Sequence, residues 1–233
     1  MLDVLSLEAW YGQAQVLYGV SLGVAAGECV ALVGRNGAGK STTMKAIMGL
    51  MARRRGRVVF RGTDISALPS YRIGRLGLGW VPEDRRIFTD LSVRENLAVA
   101  RQPGRDGAPT WTEEKLYALF PNLAVMPDRP GGRMSGGEQQ MLTVARTLMG
   151  NPYLVLLDEP SEGVAPLIVE EMARMILALK KEGVSVLLSE QNINFAELVS
   201  DRVYVLEKGQ IRWNGTMADL MRDTDLQRSY LTV

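Results

Sequence analysis

The chain contains no histidine and a single cysteine among its 233 residues. Without histidine, any task usually given to an imidazole must fall to another side chain. One cysteine cannot form an internal disulfide, and Cys29, in the apolar run "CVALV", reads as a small core residue of a protein kept in a reducing compartment. Charge of either sign is also not in excess. With 27 Lys and Arg against 26 Asp and Glu, the net charge is +1, which argues against a nucleic-acid binder held by counterion release. No apolar run approaches the roughly 18 residues that a membrane span needs. The opening "MLDVLSLEAWYG" lacks the basic start and apolar core of a signal peptide, so a soluble, cytoplasmic chain is expected. Internal repeats and low-complexity segments are absent.

What is present is an alternation of apolar strands and helical patterns, the mark of an α/β fold with a mostly parallel sheet. "ECVALVG" (28–34), "YLVLLDE" (153–159) and "VSVLLSE" (184–190) read as central strands of one sheet, covered on both faces. Between the last two, "PLIVEEMARMILALKKEG" (166–183) places Ile168, Met172, Met175, Ile176 and Leu179 at helical spacing, opened by Pro166 and closed by Gly183. "RVVFRGTDI" (57–65) and "RVYVLEKGQIRWNG" (202–215) suggest antiparallel hairpins, the second turning at Lys208 and Gly209. From 84 to 150 the chain becomes polar and helical, which predicts an inserted helical subdomain between the two parts of an α/β core, 1–83 and 151–233.

The strongest chemical signal is "GRNGAGKST" (34–42), which follows a predicted strand and opens a predicted helix, "KSTTMKAIMGL". Gly34, Gly37 and Gly39, with Asn36 and Ala38 between them, let backbone N–H groups curl around phosphate oxygens at a helix N-terminus. Lys40 supplies a mobile charge for the β- and γ-phosphates, Ser41 a ligand for Mg²⁺, and Thr42 a further donor. The apolar strand before residue 158 ends in an acidic pair: Asp158 is a candidate metal ligand and Glu159 a candidate general base for an attacking water. Capping or solvated carboxylates would be the bland alternative. A second donor-rich helix start, Ser135-Gly136-Gly137-Glu138, lies in "RMSGGEQQMLTVARTLMGNP" (133–152).

Two phosphate-binding helix starts in one chain make it similar to the nucleotide-binding subunits of ABC transporters, whose signature, usually Leu-Ser-Gly-Gly-Gln, here reads Met134 to Glu138. The resemblance spans essentially the whole chain. It implies a P-loop ATPase fold with a mostly parallel core, an antiparallel β subdomain and the inserted helical subdomain. It also implies a head-to-tail dimer with a second ABC ATPase subunit, each ATP with its Mg²⁺ lying between the phosphate loop of one chain and Ser135 to Glu138 of the other. By the same resemblance, Tyr11 stacks on adenine, with packing in an N-terminal antiparallel sheet as the alternative. Glu83 stands where glutamine is usual and is a further metal candidate, although a carboxylate facing phosphate needs an intervening cation. Arg85, Arg86, Ile87 and Phe88 are expected to face a membrane subunit, with a solvated loop as the alternative for the two arginines, and Ala165 replaces an aspartate usual in the family. Gln191 occupies the place of the γ-phosphate-sensing histidine and becomes, with Lys40 and Glu159, a candidate catalytic residue, with capping of the loop after the strand as the alternative. With no imidazole at the site, no step near pH ~6.5 is expected in its rate profile.

"WVPEDRRIF", "EPSEGVAPLIVEE" and "SEQN" resemble one of the two ATPase subunits of importers for branched-chain amino acids and related amides. That implies a heterodimer or homodimer of ATPases on two membrane permease subunits, fed indirectly by a periplasmic binding protein, with this chain peripheral on the inner face of the cell membrane and no nucleic acid as partner. The rival is an ABC-type head of the DNA-repair or chromosome-organising kind. Against it, no heptad run separates Lys40 from Ser135, and "ARRRGR" (52–57) is the sole basic cluster.

Overall fold

In the computed structural model, which describes residues 1–230, the chain opens as an antiparallel pair, β1 (Leu2–Tyr11) and β2 (Ala14–Val24). The apolar run that follows is β3 (Cys29–Val33), joined through the glycine-rich loop to α1 (Lys40–Ile47). β4 (Arg53–Phe60) returns to pair with β1, and β5 (Thr63–Asp64) pairs with β4. Then come α2 (Ser70–Arg75) and β6 (Leu78–Val81). Helices α3 (Val93–Ala100), α4 (Glu113–Leu119), α5 (Pro121–Ala124) and α6 (Gly136–Leu148) precede β7 (Leu154–Asp158). The remainder alternates α7 (Pro166–Lys181), β8 (Ser185–Glu190), α8 (Ile193–Val199), β9 (Arg202–Glu207) and β10 (Gln210–Thr216), and ends in α9 (Met217–Arg222) and α10 (Thr224–Tyr230).

Two sheets result. The first is antiparallel, in the order β2-β1-β4-β5; the second runs β10-β9-β3-β8-β7-β6 and is parallel apart from β10. Every residue of β3, β7 and β8 is buried, which is why these strands read as unbroken apolar runs rather than alternating ones. The pleat still sorts them by face. Leu154, Leu156 and Leu187 pack with α1 and the antiparallel sheet, whereas Val155, Leu157, Val186 and Leu188 pack with α6 and α7. The stripe expected on α7 is the one that docks: Met172, Met175, Ile176 and Leu179 are buried and Ile168 is half-buried at the edge.

The antiparallel hairpin expected at 202–215 is present as β9 and β10, and its first strand is also the parallel neighbour of β3, so the hairpin extends the central sheet. Its turn uses Lys208 at φ 48° and Gly209 at φ 73°. The Gly209 N–H donates to the Ala38 carbonyl at 2.8 Å and its own carbonyl accepts from the Tyr18 N–H at 2.9 Å. That turn is therefore a strut between β2 and the glycine-rich loop. The segment 84–150 carries α3 to α6 and none of the ten strands.

Candidate functional site

β3 is buried and straight to Val33; beyond it the backbone must turn sharply to start α1. Gly37 and Gly39 do so at φ 79° and 111°, values that glycine reaches without penalty. Gly34 is required for another reason, since a Cβ there would lie 2.2 Å from the Leu206 carbonyl oxygen of β9. The loop so formed and the first turn of α1 line a cleft of about 200 Å³ with Gly37, Gly39, Lys40, Ser41, Thr42, Val16 and Glu159 on its walls. Asn36 and Ala38 open onto a neighbouring cleft beside Leu206 and Lys208.

Lys40 is 3% exposed. Its ammonium donates to the Gly34 carbonyl at 2.7 Å and the Arg35 carbonyl at 3.2 Å, and it pairs with Glu159 Oε1 at 3.1 Å. The candidate phosphate cation and the candidate base thus touch. Ser41 donates from Oγ to Asp158 Oδ1 at 2.9 Å, and Ser189 Oγ donates to the same oxygen at 2.6 Å. Burial pushes the Asp158 carboxyl up from its ordinary range, with the Ser189 and Ser41 hydroxyls pulling against that. Ser41 and Asp158 place two hard oxygens one hydrogen bond apart, a donor set that suits Mg²⁺. Glu159 stands at φ 47°, uncommon for a non-glycine residue, and is held there by its N–H, which donates to the Ser189 carbonyl at 3.0 Å and hydroxyl at 3.2 Å. Ser189 was read only as part of a strand. Its register opposite Asp158 in the parallel pair β7·β8 is what gives it this role, and register is not visible along one strand.

Glu162, in "PSEGVAP", is the second residue the sequence reading passed over. Its carboxyl is pushed up to about 7, chiefly by a hydrogen bond with Glu159, then by burial and by the charges of Glu159 and Glu83, with Lys40 opposing. A group that titrates near neutrality is present after all, and it is a carboxyl. Glu83 is exposed and close enough to act on Glu162. Among the described residues no three His, Cys, Asp or Glu side chains gather so as to hold a metal.

Gln191 is exposed and lines a second cleft, of about 370 Å³, with Glu159, Ser161, Glu162, Glu190 and Asn192. Its backbone N–H donates to Glu190 Oε2, while its side-chain amide has no partner among the described residues. Capping of α8 falls instead to Asn192, whose side chain accepts from the Phe195 N–H. Tyr11 is 51% exposed at the end of β1, in the antiparallel sheet. It lies outside the walls of the phosphate cleft, where Val16 of the same hairpin stands.

Ser135 caps α6, and Glu138 completes the box: the Ser135 hydroxyl accepts the Glu138 N–H and the Glu138 carboxylate accepts the Ser135 N–H. Neither these residues nor Gly136 and Gly137 line the clefts at Lys40 or Gln191. Arg85 lies against this turn, so closely that a Cβ on Gly136 would sit 2.7 Å from its Nη1. Arg86 pairs with Asp84 and lies 5.4 Å from the Trp80 ring centre. Arg85 is thus half-buried against this turn, while Arg86 keeps 56% of its side chain exposed beside Asp84. Phe88, 47% exposed, is the large apolar residue of that loop left outward. The loop itself is pinned to α6, because Thr143 Oγ1 donates to the Arg85 carbonyl and Arg146 to the Arg86 carbonyl.

A buried lysine in a glycine loop, with a hydroxyl and an acidic strand end facing it across the first turn of a helix, defines a P-loop nucleotide triphosphatase. The comparisons then narrow the class. The model of the family described as ABC transporter matches residues 17–162. The branched-chain amino acid transport ATP-binding protein BraG of Pseudomonas aeruginosa is 42% identical over 99% of both chains. The lipopolysaccharide export ATP-binding protein LptB of Haemophilus influenzae is 36% identical over 99% of this chain and 97% of its own. The ADP conformation of the cassette MJ1267 superimposes with a TM-score of 0.80 at 26% identity, covering 98% of this chain and 97% of that one. The chain belongs to the ABC transporter family and is an ATP-hydrolysing subunit of such a transporter. None of its described helices is long and apolar enough to cross a membrane.

Proposed function

We propose that the chain powers uptake of branched-chain or related amino acids or amides, as one of two ATPase subunits, of the same or different sequence, seated at the inner face of the cell membrane on two permease subunits. The observation that carries the solute class is the likeness to BraG over nearly the full length of both chains. The likeness to LptB, an export protein, is close enough that direction and cargo need a direct test. Loss of labelled leucine, isoleucine or valine uptake in cells that express only the Glu159→Gln variant is the expected result. Unchanged uptake of all three would overturn this reading.

In this reading the phosphate loop, 34–39, wraps the β-phosphate with backbone N–H groups, and Lys40 moves its charge from Glu159 to the γ-phosphate. Tyr11 stacks on the adenine. Ser41 and Asp158 are the residues that would hold Mg²⁺, and the ion would supply neutralisation of charge on the phosphate oxygens. Glu159, freed of Lys40, accepts a proton from the water whose oxygen attacks the γ-phosphorus. Gln191 donates its amide to a γ-phosphate oxygen. Ser135, Gly136, Gly137 and Glu138 serve the nucleotide of the second subunit, consistent with their absence from the walls of this chain's own clefts. Coupling to the permease runs through Phe88, and the bonds from α6 to Arg85 and Arg86 tie that contact to the helix that starts at Ser135. The segment 84–150 is the part that moves with it. Glu83 acts on the Glu162 carboxyl through its charge.

A further inference from the structure

Glu190 ends β8, is 2% exposed, and takes no part in the steps above. Burial of a carboxylate is costly unless hydrogen bonds replace the lost water. Here three backbone N–H groups do so: Oε1 accepts from Ser161 at 3.1 Å, and Oε2 accepts from Gln191 and from Asn192, each at 3.1 Å. The donors come from two different loops. Ser161 belongs to the turn that carries Glu159 and Glu162, which is itself closed by the Glu162 N–H donating to the Glu159 carbonyl at 3.1 Å. Gln191 and Asn192 open the loop after β8. Both loops line the same cleft of about 370 Å³.

The chemistry of this bridge is specific to a carboxylate. Only an acceptor-only group with two oxygens satisfies N–H donors on both sides; a glutamine there would turn an NH₂ toward one of them, and a hydroxyl reaches one side alone. Bonds from backbone N–H groups to an ionised carboxylate are also of the stronger, charge-assisted class. The residue before it completes the arrangement. Ser189 fixes Asp158 and the Glu159 N–H, and Glu190 fixes the turn that follows.

We propose that Glu190 is a positioning residue, which locks the turn bearing Glu159 and Glu162 to the loop bearing Gln191, so that contact of Gln191 with the γ-phosphate sets the geometry of the base. The inference rests on the role given to Gln191 in the proposed function. It accounts for how a chain without histidine can transmit phosphate contact to the base: the signal passes through backbone N–H groups gathered on one buried carboxylate.

The test uses the full chain with Glu190→Gln, Gln191→Ala and the double substitution, measured by steady-state ATP hydrolysis and by amide hydrogen exchange. Glu190→Gln should lower kcat about tenfold with KM for ATP within about twofold, since small misplacement of reacting groups slows chemistry more than it weakens binding. Exchange should rise in both 159–163 and 191–193, and adding Gln191→Ala to Glu190→Gln should cost little more, because coupled positions are not additive. If Glu190→Gln does not fold, Glu190→Asp, which keeps the charge and shortens the reach by one methylene, carries the same expectations. Wild-type kcat in Glu190→Gln, or a rise in exchange in only one of the two segments, would overturn the bridge. A slow Gln191→Ala whose effect multiplies with that of Glu190→Gln would overturn the coupling alone. Wild-type turnover in Gln191→Ala would overturn the role proposed for Gln191 and the coupling with it.

Discussion

Lys40 and Glu159 hold each other inside the phosphate cleft: Nζ and Oε1 are 3.1 Å apart, and the two side chains are 2% and 8% exposed. The same ammonium also donates to the carbonyls of Gly34 and Arg35, so it is pre-set at the mouth of the loop. In the proposed mechanism a γ-phosphate at this loop competes with Glu159 for that ammonium. Phosphate binding and release of the base are then one event.

This competition gives Glu159→Gln two opposite effects. Removing a carboxylate that pairs with Lys40 should tighten ATP binding, by roughly three- to tenfold for a coupling of this kind. Removing the base should lower kcat by about 10²–10⁴-fold. Lys40→Ala should lose affinity instead, and leave Glu159 buried without its cation. Nucleotide titration beside steady-state hydrolysis checks the pair; weaker ATP binding by Glu159→Gln would contradict the competition.

The coupling loop yields a second prediction, which separates contact from support. Asn96 is fully buried and holds Phe88 from both sides: Oδ1 accepts the Phe88 N–H at 3.0 Å, while Nδ2 donates to the carbonyls of Phe88, Leu91 and Ser92 at 3.0–3.1 Å. Asn96→Ala strands several of these groups and should cost about 2 kcal/mol or more of stability, with each buried unmet group at about 1–3 kcal/mol. Phe88→Ala, at a half-exposed ring, should cost less than about 1 kcal/mol. It should nonetheless lower solute-stimulated hydrolysis in the assembled transporter more than hydrolysis by the chain alone. Thermal unfolding and vesicle assays distinguish the two; equal destabilisation by both changes would reject the division.

How much of this was legible along the chain follows from where the information lies. β3, β7 and β8 declare themselves because strands covered on both faces are apolar throughout, and the phosphate loop because its glycines and Lys40 are adjacent in sequence. β2 and β6 went unread: β2 carries polar residues on an exposed face, and the four residues of β6, two of them half-buried, lack a run long enough to stand out. Ser189, Asn96 and Glu190 went unread for a different reason. Each acts through backbone groups or strand neighbours that sequence order does not place beside it, such as Asp158 for Ser189 and Ser161 for Glu190. Arg85 lies against Gly136, a contact between residues far apart in sequence that two arginines in a polar loop do not announce, whereas Arg86 stays outward beside Asp84.

Glu162 supplies a pH prediction of definite sign. Its carboxyl titrates at about 7 in the folded chain against an ordinary 4.5, because Glu159 shares a hydrogen bond with it and Glu159 and Glu83 face it with like charge, opposed by Lys40. Between those two values the folded state binds more protons than the unfolded state, so the contribution of this group is full below pH 4.5 and is lost as pH rises through about 7. Glu162→Gln should therefore flatten the fall of stability from pH 5 to pH 8 and stabilise the chain at the upper end. It should also remove a step near neutrality in the rate profile. Denaturant unfolding across that range decides the matter: an unchanged slope would mean that Glu162 titrates as an ordinary carboxyl.

The final prediction concerns the task that a missing histidine leaves open. Both parts of that task, meeting a γ-phosphate oxygen and orienting the attacking water, call for a hydrogen-bond donor before they call for a titratable group. The Gln191 amide offers two donors and one acceptor, and in this fold none is engaged by a described residue. A bond to an anionic phosphate is worth about 1.5–3 kcal/mol, enough to register bound ATP. Yet an amide cannot become cationic, so it stabilises developing charge less than a protonated imidazole would. Gln191→Ala should accordingly slow hydrolysis by about tenfold or more while ATP affinity changes little. Gln191→His should raise the rate or add a second step near pH ~6.5, distinguishable from that of Glu162 because it persists in the Glu162→Gln background. Since capping of α8 rests on Asn192, a loss of activity in Gln191→Ala with unchanged thermal stability reports the phosphate contact itself. Wild-type turnover by Gln191→Ala would leave Glu159 and the second subunit's Ser135 to Glu138 turn as the groups that sense the γ-phosphate.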